Sequence, residues 1–121
     1  MNKFEWEVEF PAYCPIYESK SCTFNPVYRL VKNNTPTEDE FYPNNKTGGT
    51  KDLKNCRRWA VSFLNSYDEA DEIRKKIPHF KKYQIAEGTI LAGIGKSLKE
   101  EAHINTWRFE NVLLHPHFKV I

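Results

Sequence analysis

Residues 59–78, Trp-Ala-Val-Ser-Phe-Leu-Asn-Ser-Tyr-Asp-Glu-Ala-Asp-Glu-Ile-Arg-Lys-Lys-Ile-Pro, decide the fold of this chain. Alternating side chains over residues 57–64 predict a strand. Ser66 follows as a helix N-cap, and Glu69 completes a capping box that satisfies free backbone N–H groups. Acidic side chains then lie near the start of the helix and basic ones near its end, as the helix dipole favours, until Pro78. A strand that runs directly into one amphipathic helix indicates an α+β domain.

The remaining sequence adds strands and loops around this unit. Strict alternation of apolar residues and glutamates over residues 4–10 predicts an N-terminal strand. Further strands are predicted over 27–31, 83–91 and 104–109, with strand or turn over 112–121. Loops are predicted over 11–26, 43–52 and 92–100, the last with a short helical piece, and helical turns over 35–41. We expect a single compact α+β domain over residues 1–121, with a mainly antiparallel sheet of about five or six strands and one principal helix.

The composition indicates a folded domain without a strong charge. The 121 residues are 40% hydrophobic and 14% aromatic, which is enough apolar surface for one core. The net charge of +2 does not by itself indicate nucleic acid or an anionic membrane. The sequence shows no long apolar run and no signal peptide, and its three cysteines, an odd number, favour a reducing compartment. We therefore expect a cytoplasmic protein that does not bind the membrane.

Patterns for metal or phosphate binding are incomplete. Cys14 and Cys22 are separated by seven residues and Cys56 stands alone, whereas structural zinc sites use closer pairs. Gly95-Lys96-Ser97 lacks the earlier glycine of a Walker loop, because Ile90 occupies that position. We expect no metal site and no bound cofactor.

A basic cluster lies over residues 74–82. Cations at a helix end complement the helix dipole, and the aromatic residues are not interleaved as in a stacking platform. Nucleic acid is therefore disfavoured as a partner, although the charge permits it.

Residues 103–108 combine a histidine, a hydroxyl, an indole and a guanidinium beside a glycine-containing loop. This set can hold an adenine or a ribose by stacking and hydrogen bonding, while the alternative is that Trp107 is a core packing residue. The predicted ligand-binding residues are Tyr28, Arg29, Ser62, His103, Thr106 and Trp107.

Several short motifs, taken in chain order, resemble a group of small bacterial and phage proteins whose activity is not established. They are Tyr28-Arg29-Leu30-Val31, residues 60–70 (AVSFLNSYDEA), residues 83–90 (YQIAEGTI) and residues 103–107 (HINTW). The resemblance covers most of residues 27–110 and implies a fold neighbourhood. In a phage or mobile-element setting it implies an inhibitor of a host or phage enzyme.

A weaker similarity is to the ADP-ribosyltransferase-like fold. Arg29 matches the Arg or His of an early strand, Ser62 matches the motif on a strand that enters a helix, and Glu110 or Glu87 matches a later glutamate. The similarity implies NAD as substrate, with Arg29 anchoring a pyrophosphate or ribose, Ser62 orienting the nicotinamide ribose and the glutamate stabilising an oxocarbenium-like transition state. The chain departs from the pattern, because Phe63 rather than Thr-Ser follows Ser62 and no Gln/Glu-x-Glu occurs near the end.

These observations favour a small non-catalytic binding or inhibitory protein that engages a protein or a nucleotide-like ligand, since no catalytic set is complete. The alternative is an NAD-using ADP-ribosyltransferase-like enzyme, for which Arg29, Ser62 and a glutamate must converge on one cleft. A third hypothesis is a dimerisation module with Phe4, Trp6 and Phe10 at the subunit contact.

Overall fold

A computed structural model describes residues 2–47 and 49–121. Six strands form one antiparallel sheet: β1 (Phe24–Val31), β2 (Val61–Leu64), β3 (Gln84–Ile90), β4 (Gly95–Glu100), β5 (His103–Arg108) and β6 (Phe118–Val120). One α-helix, α1 (Tyr67–Lys76), follows β2. Short 3₁₀ turns occupy Glu7–Glu9, Glu38–Phe41, Asn44–Lys46, Cys56–Trp59, Pro78–Phe80 and His115–His117. The predicted α+β class, with one antiparallel sheet and one principal helix, is confirmed.

The strand order is β4-β5-β2-β1-β3-β6, which divides the sheet into two three-stranded halves that meet between β2 and β1. Within the halves the ladders are long, with six register pairs between β1 and β3 and six between β4 and β5. Between β1 and β2, one register pair is formed in the described part of the chain, Tyr28 opposite Leu64. The joint between the halves therefore has the weakest backbone ladder near the centre of the sheet.

Apolar side chains cover both faces of the sheet. One face is covered by α1. Ser66 caps this helix as predicted, and its Oγ accepts a hydrogen bond from the Glu69 N–H at 3.2 Å. Ala70 of α1 is fully buried against one face of the sheet. The opposite face carries the larger cluster, whose buried members are Val27, Val31, Phe41, Val61, Phe63, Ala86, Ile90, Ile104, Leu114 and Phe118. Because this cluster draws on both halves, its burial helps to hold the joint closed.

The predicted N-terminal strand over residues 4–10 is wrong. Glu7–Glu9 form a 3₁₀ turn, Trp6 has a left-handed backbone with φ of 61°, and the Val8 side chain is 97% exposed. Phe4, Trp6 and Phe10 instead pack onto a third cluster around Trp59 and Trp107. Phe4 forms an isolated antiparallel bridge with Phe109, and packing within the chain, rather than a continuous strand, accounts for the three aromatic residues.

Two further boundaries differ from the sequence prediction. Residues 95–100, predicted as loop, form the edge strand β4, and residues 56–59 form a turn rather than the start of β2. An edge strand with exposed lysines shows little apolar alternation, so its pairing with β5 decides its conformation. The Ser97 and Thr106 hydroxyls share a buried hydrogen bond of 2.8 Å across this pair. At Gly95 a side chain would collide with the Trp107 carbonyl, so glycine permits the close approach of the strands.

Cys14 and Cys56, 42 residues apart, form a disulfide, which contradicts the expectation that the cysteines stay reduced. Cys22 is free. The disulfide joins the N-terminal segment, residues 2–23, to the turn Cys56–Trp59 before β2. At the same turn the Trp107 indole N–H donates to the Cys56 carbonyl at 3.0 Å. Spacing in the sequence did not reveal the pair, because packing of the N-terminal aromatics is what brings Cys14 to Cys56. No helix in the described residues has both the length and the apolar character needed to cross a membrane.

The disulfide predicts a defined thiol count and a stability effect. Thiol titration of the denatured, unreduced protein should detect one free thiol, that of Cys22. Changing both Cys14 and Cys56 to Ser should lower the free energy of unfolding by about 4 kcal/mol, as expected from chain entropy for a closed loop of this length. Urea denaturation measures the second effect, with Cys22→Ser as the control. Detection of three thiols would contradict the pairing.

Tyr13 shows backbone strain without compensating packing of its ring. Its φ of 61° lies in the left-handed region, and its side chain is 97% exposed. Tyr17 is 96% exposed but is not among the residues with positive φ. Glycine adopts the left-handed region without the steric cost of roughly 1–2 kcal/mol that a side chain carries. Tyr13→Gly should therefore be more stable than Tyr17→Gly by about that amount in urea denaturation. Equal stabilities of the two variants would show that Tyr13 is unstrained.

Candidate functional site

The Arg29 side chain bridges β1 and β2 at the joint between the two halves of the sheet. Its Nε donates to the Glu40 carbonyl at 2.7 Å and its Nη1 donates to the Ser62 carbonyl at 2.6 Å. Its guanidinium carbon lies 5.6 Å from the centre of the Phe41 ring and 5.8 Å from that of Phe63. The side chain therefore adds one hydrogen bond from β1 to β2 beyond the short β1–β2 ladder, and it ties the turn Glu38–Phe41 to the same place.

Burial lowers the pKa of Arg29 to about 10, and the nearby Glu40 carboxylate opposes this shift. The guanidinium is still protonated at neutral pH, because this value lies well above 7. Its Nη2 has no hydrogen-bond acceptor among residues 2–47 and 49–121. Arg29 is thus a fixed charge with unused donors.

A cleft of about 950 Å³ opens beside Arg29. Of the predicted ligand-binding residues, the cleft is lined by Tyr28, Arg29, Ser62 and His103. The Tyr28 hydroxyl also donates to the Glu87 carboxylate at 3.0 Å, and burial, followed by that hydrogen bond, raises the pKa of Tyr28. The structure therefore brings together four residues that come from β1, β2 and β5.

Thr106 and Trp107 do not reach the cleft, which corrects the sequence prediction for both. Thr106 is fully buried and hydrogen-bonds Ser97, and Trp107 is 1% exposed within the third cluster. Both side chains are packing residues, as the alternative for Trp107 anticipated. The strand that carries them was predicted correctly. Its sequence does not show that Thr106 and Trp107 are buried, because the N-terminal segment and β4 are what cover them.

The three residues of the ADP-ribosyltransferase pattern do not converge. Arg29 lies against the Phe63 ring, and Ser62 must point to the opposite face because neighbouring side chains alternate along a strand. Both reach the cleft because β1 and β2 separate beside the joint. Glu110 is exposed and does not line the cleft, and Glu87 lines a separate pocket of about 260 Å³.

The acidic groups of the cleft are held in local hydrogen bonds. The Glu40 carboxylate accepts bonds from the backbone N–H of Lys32 and of Thr37 and from the Asn33 side chain. Asp39 accepts a hydrogen bond from the Thr37 hydroxyl. These carboxylates shape the 32–40 segment, so neither is positioned as a free general base.

The sequence analysis missed a ring cluster at the cleft, formed by His79, Phe80 and Tyr83. The Tyr83 ring centre lies 4.9 Å from that of Phe80 and 5.6 Å from that of His79, and the Tyr83 hydroxyl lies 3.3 Å from His79 Nε2. Lys32 Nζ lies 5.7 Å from the centre of the Tyr83 ring. The signal in the sequence was His-Phe-Lys-Lys-Tyr directly after Pro78, where the 3₁₀ turn Pro78–Phe80 directs the rings to the cleft.

Comparisons with protein-family models, with curated proteins and with solved structures gave no match for this chain. Within residues 2–47 and 49–121, no group of three or more His, Cys, Asp or Glu side chains is arranged to hold a metal ion. Function must therefore be argued from the cleft itself.

Replacing Arg29 with Met should destabilise the protein, because the Ser62 and Glu40 carbonyls would lose their donor while the apolar stem is kept. With a cost of about 1–3 kcal/mol for each of the two acceptors left unpaired, we expect a loss of about 2–6 kcal/mol in urea denaturation. Lys32→Met is the matched control. It also removes one positive charge from the cleft, but the Lys32 side chain is exposed and forms no hydrogen bonds to backbone carbonyls within the described part of the chain. Equal stability of the two variants would show that Arg29 does not hold the joint.

Proposed function

We propose that this protein is a small non-catalytic binding domain that takes a nucleotide-like ligand in the cleft beside Arg29. The observation that carries the proposal is the convergence of Tyr28, Arg29, Ser62 and His103 on one cleft of about 950 Å³. This volume lies near the upper end of the usual range for small-molecule sites, about 300–1,000 Å³.

The chemistry of the lining supports a ligand with a flat ring and an anionic group. Leu30, Leu64 and Ile73 supply apolar surface, while Arg29 and Lys32 supply positive charge. Tyrosine rings offer faces for a base, and a guanidinium with unused donors suits a phosphate. A nucleotide combines both groups in one molecule.

A binding role is favoured over catalysis because each acidic group among the described residues that line the cleft is held in local hydrogen bonds. Glu40 and Asp39 are held by local hydrogen bonds, and Glu110 lies outside the lining. No observation favours NAD-using transferase chemistry, so we do not propose it. Inhibition of a partner enzyme and a phage or mobile-element origin stay predictions from the resemblance.

The location of the protein in the cell is a separate question, and the cysteines bear on it. A cytoplasmic location was predicted from the odd number of cysteines, whereas the Cys14–Cys56 disulfide is typical of oxidising compartments. The thiol count of protein isolated with its thiols trapped distinguishes the two.

Titration of AMP, NAD⁺ and adenosine into ¹⁵N-labelled protein tests the proposal. We expect amide shifts around Tyr28, Arg29, Ser62 and His103, with a weaker response to adenosine, which lacks the phosphate. His103→Ala should weaken AMP binding several-fold, because it removes a cleft side chain that is not part of the core. His117→Ala, outside the cleft, is the control. An unchanged spectrum at millimolar concentrations of all three ligands would refute the proposal.

A further inference from the structure

The ring cluster of His79, Phe80 and Tyr83 lies among lysines that are free of ion pairs. Lys81 and Lys82 are exposed and stand between Phe80 and Tyr83 in the chain. Lys32 reaches the same cluster from the end of β1, over the Tyr83 ring. The three rings and Lys32 line the cleft, and Lys81 and Lys82, which are outside the lining, interleave with the rings along the chain.

The neighbouring cations of α1 all form ion pairs, which sets these lysines apart. Arg74 and Lys75 pair with Asp71 at 2.7 and 2.8 Å, and Lys76 pairs with Glu72 at 2.5 Å. No salt bridge to Lys32, Lys81 or Lys82 is formed within residues 2–47 and 49–121. The uncompensated charge of the basic region therefore lies beside the rings and not along the helix.

We propose that the cleft receives its nucleotide as part of a single-stranded nucleic acid. The ring cluster stacks on bases, and Lys32, Lys81 and Lys82 contact the phosphates that lead into the cleft. Aromatic faces combined with a cationic path for the backbone are the general means of binding single strands, because every base has a face for stacking and every link has a charge. This inference rests on the proposed function, since the terminal nucleotide occupies the cleft beside Arg29.

A free mononucleotide leaves most of this arrangement unexplained. The fixed guanidinium of Arg29 already provides donors for one phosphate within the cleft. Three further lysines have no salt bridge among the described residues, one over the Tyr83 ring and two next to the rings in the chain, and they are matched by a ligand with several phosphates in succession. A duplex fits less well, because its bases are stacked on one another and do not present their faces to protein rings.

Fluorescence anisotropy with labelled oligo(dT) and oligo(rA) of about ten nucleotides tests the inference, because the site sizes of single-strand binding folds are of this order. The association constant should fall linearly with salt on logarithmic axes. Each phosphate contact contributes a slope of about −0.7 for single strands, so Lys81→Ala/Lys82→Ala should reduce the slope by about 1.4. Lys75→Ala/Lys76→Ala is the matched control, because it removes the same charge from ion-paired positions on α1 and should leave the slope unchanged. Phe80→Leu should weaken binding about tenfold with no change in slope, and its melting temperature checks that the variant is folded.

The outcomes separate this inference from the proposed function. If AMP binds but the oligonucleotides bind no more tightly and show no salt slope, the inference is wrong and the cleft is a mononucleotide site. If neither binds, the proposed function fails as well. Equal losses in the two lysine variants would show unspecific attraction, and equally effective competition by poly-glutamate would indicate an acidic protein partner. Either of these last results overturns the inference.

Discussion

The structure depends on how two three-stranded halves of a sheet are joined where their backbone ladder is shortest. One register pair connects β1 to β2, and Arg29 adds a hydrogen bond across the joint to the Ser62 carbonyl and a second one to the Glu40 carbonyl in the turn Glu38–Phe41. Hydrogen bonds from a charged donor are stronger than those between neutral groups, and they matter most where the acceptors are shielded from water. Burial of this charge is unfavourable, and it lowers the pKa of Arg29. The two carbonyls, the Phe41 and Phe63 rings and the Glu40 carboxylate offset this cost.

The same joint produces the cleft. A continuous β1–β2 ladder would place Arg29 and Ser62 on opposite faces with backbone between them. Because the strands separate after Tyr28 and Leu64, side chains from both faces line one opening. A local shortage of strand pairing thus creates the concave surface that a binding site needs, and Arg29 together with the apolar cluster holds the two strands in place.

The N-terminal segment serves the other end of the sheet. Its aromatic residues cover Trp59 and Trp107, the disulfide fixes it to the turn before β2, and a bridge between Lys20 and Ser97 covers the edge strand β4. Protection of an exposed strand edge limits pairing with other chains. The segment therefore stabilises the half of the sheet that carries β2 and leaves the cleft free.

The sequence by itself determined the local elements whose patterns are strong. The N-cap at Ser66, the charge order of α1, the apolar strands β1, β3 and β5, and the α+β class all follow from periodicity and capping, which depend on near neighbours in the chain. It also predicted six ligand-binding residues, of which Tyr28, Arg29, Ser62 and His103 line the cleft while Thr106 and Trp107 are buried elsewhere. Tertiary structure alone decided the course of residues 4–10, the edge strand β4, the Cys14–Cys56 pair, the burial of Thr106 and Trp107, and the meeting of Lys32 with the ring cluster. Each of these is a contact between segments far apart in the chain, and its free energy comes from burial and pairing with partners that local spacing does not reveal.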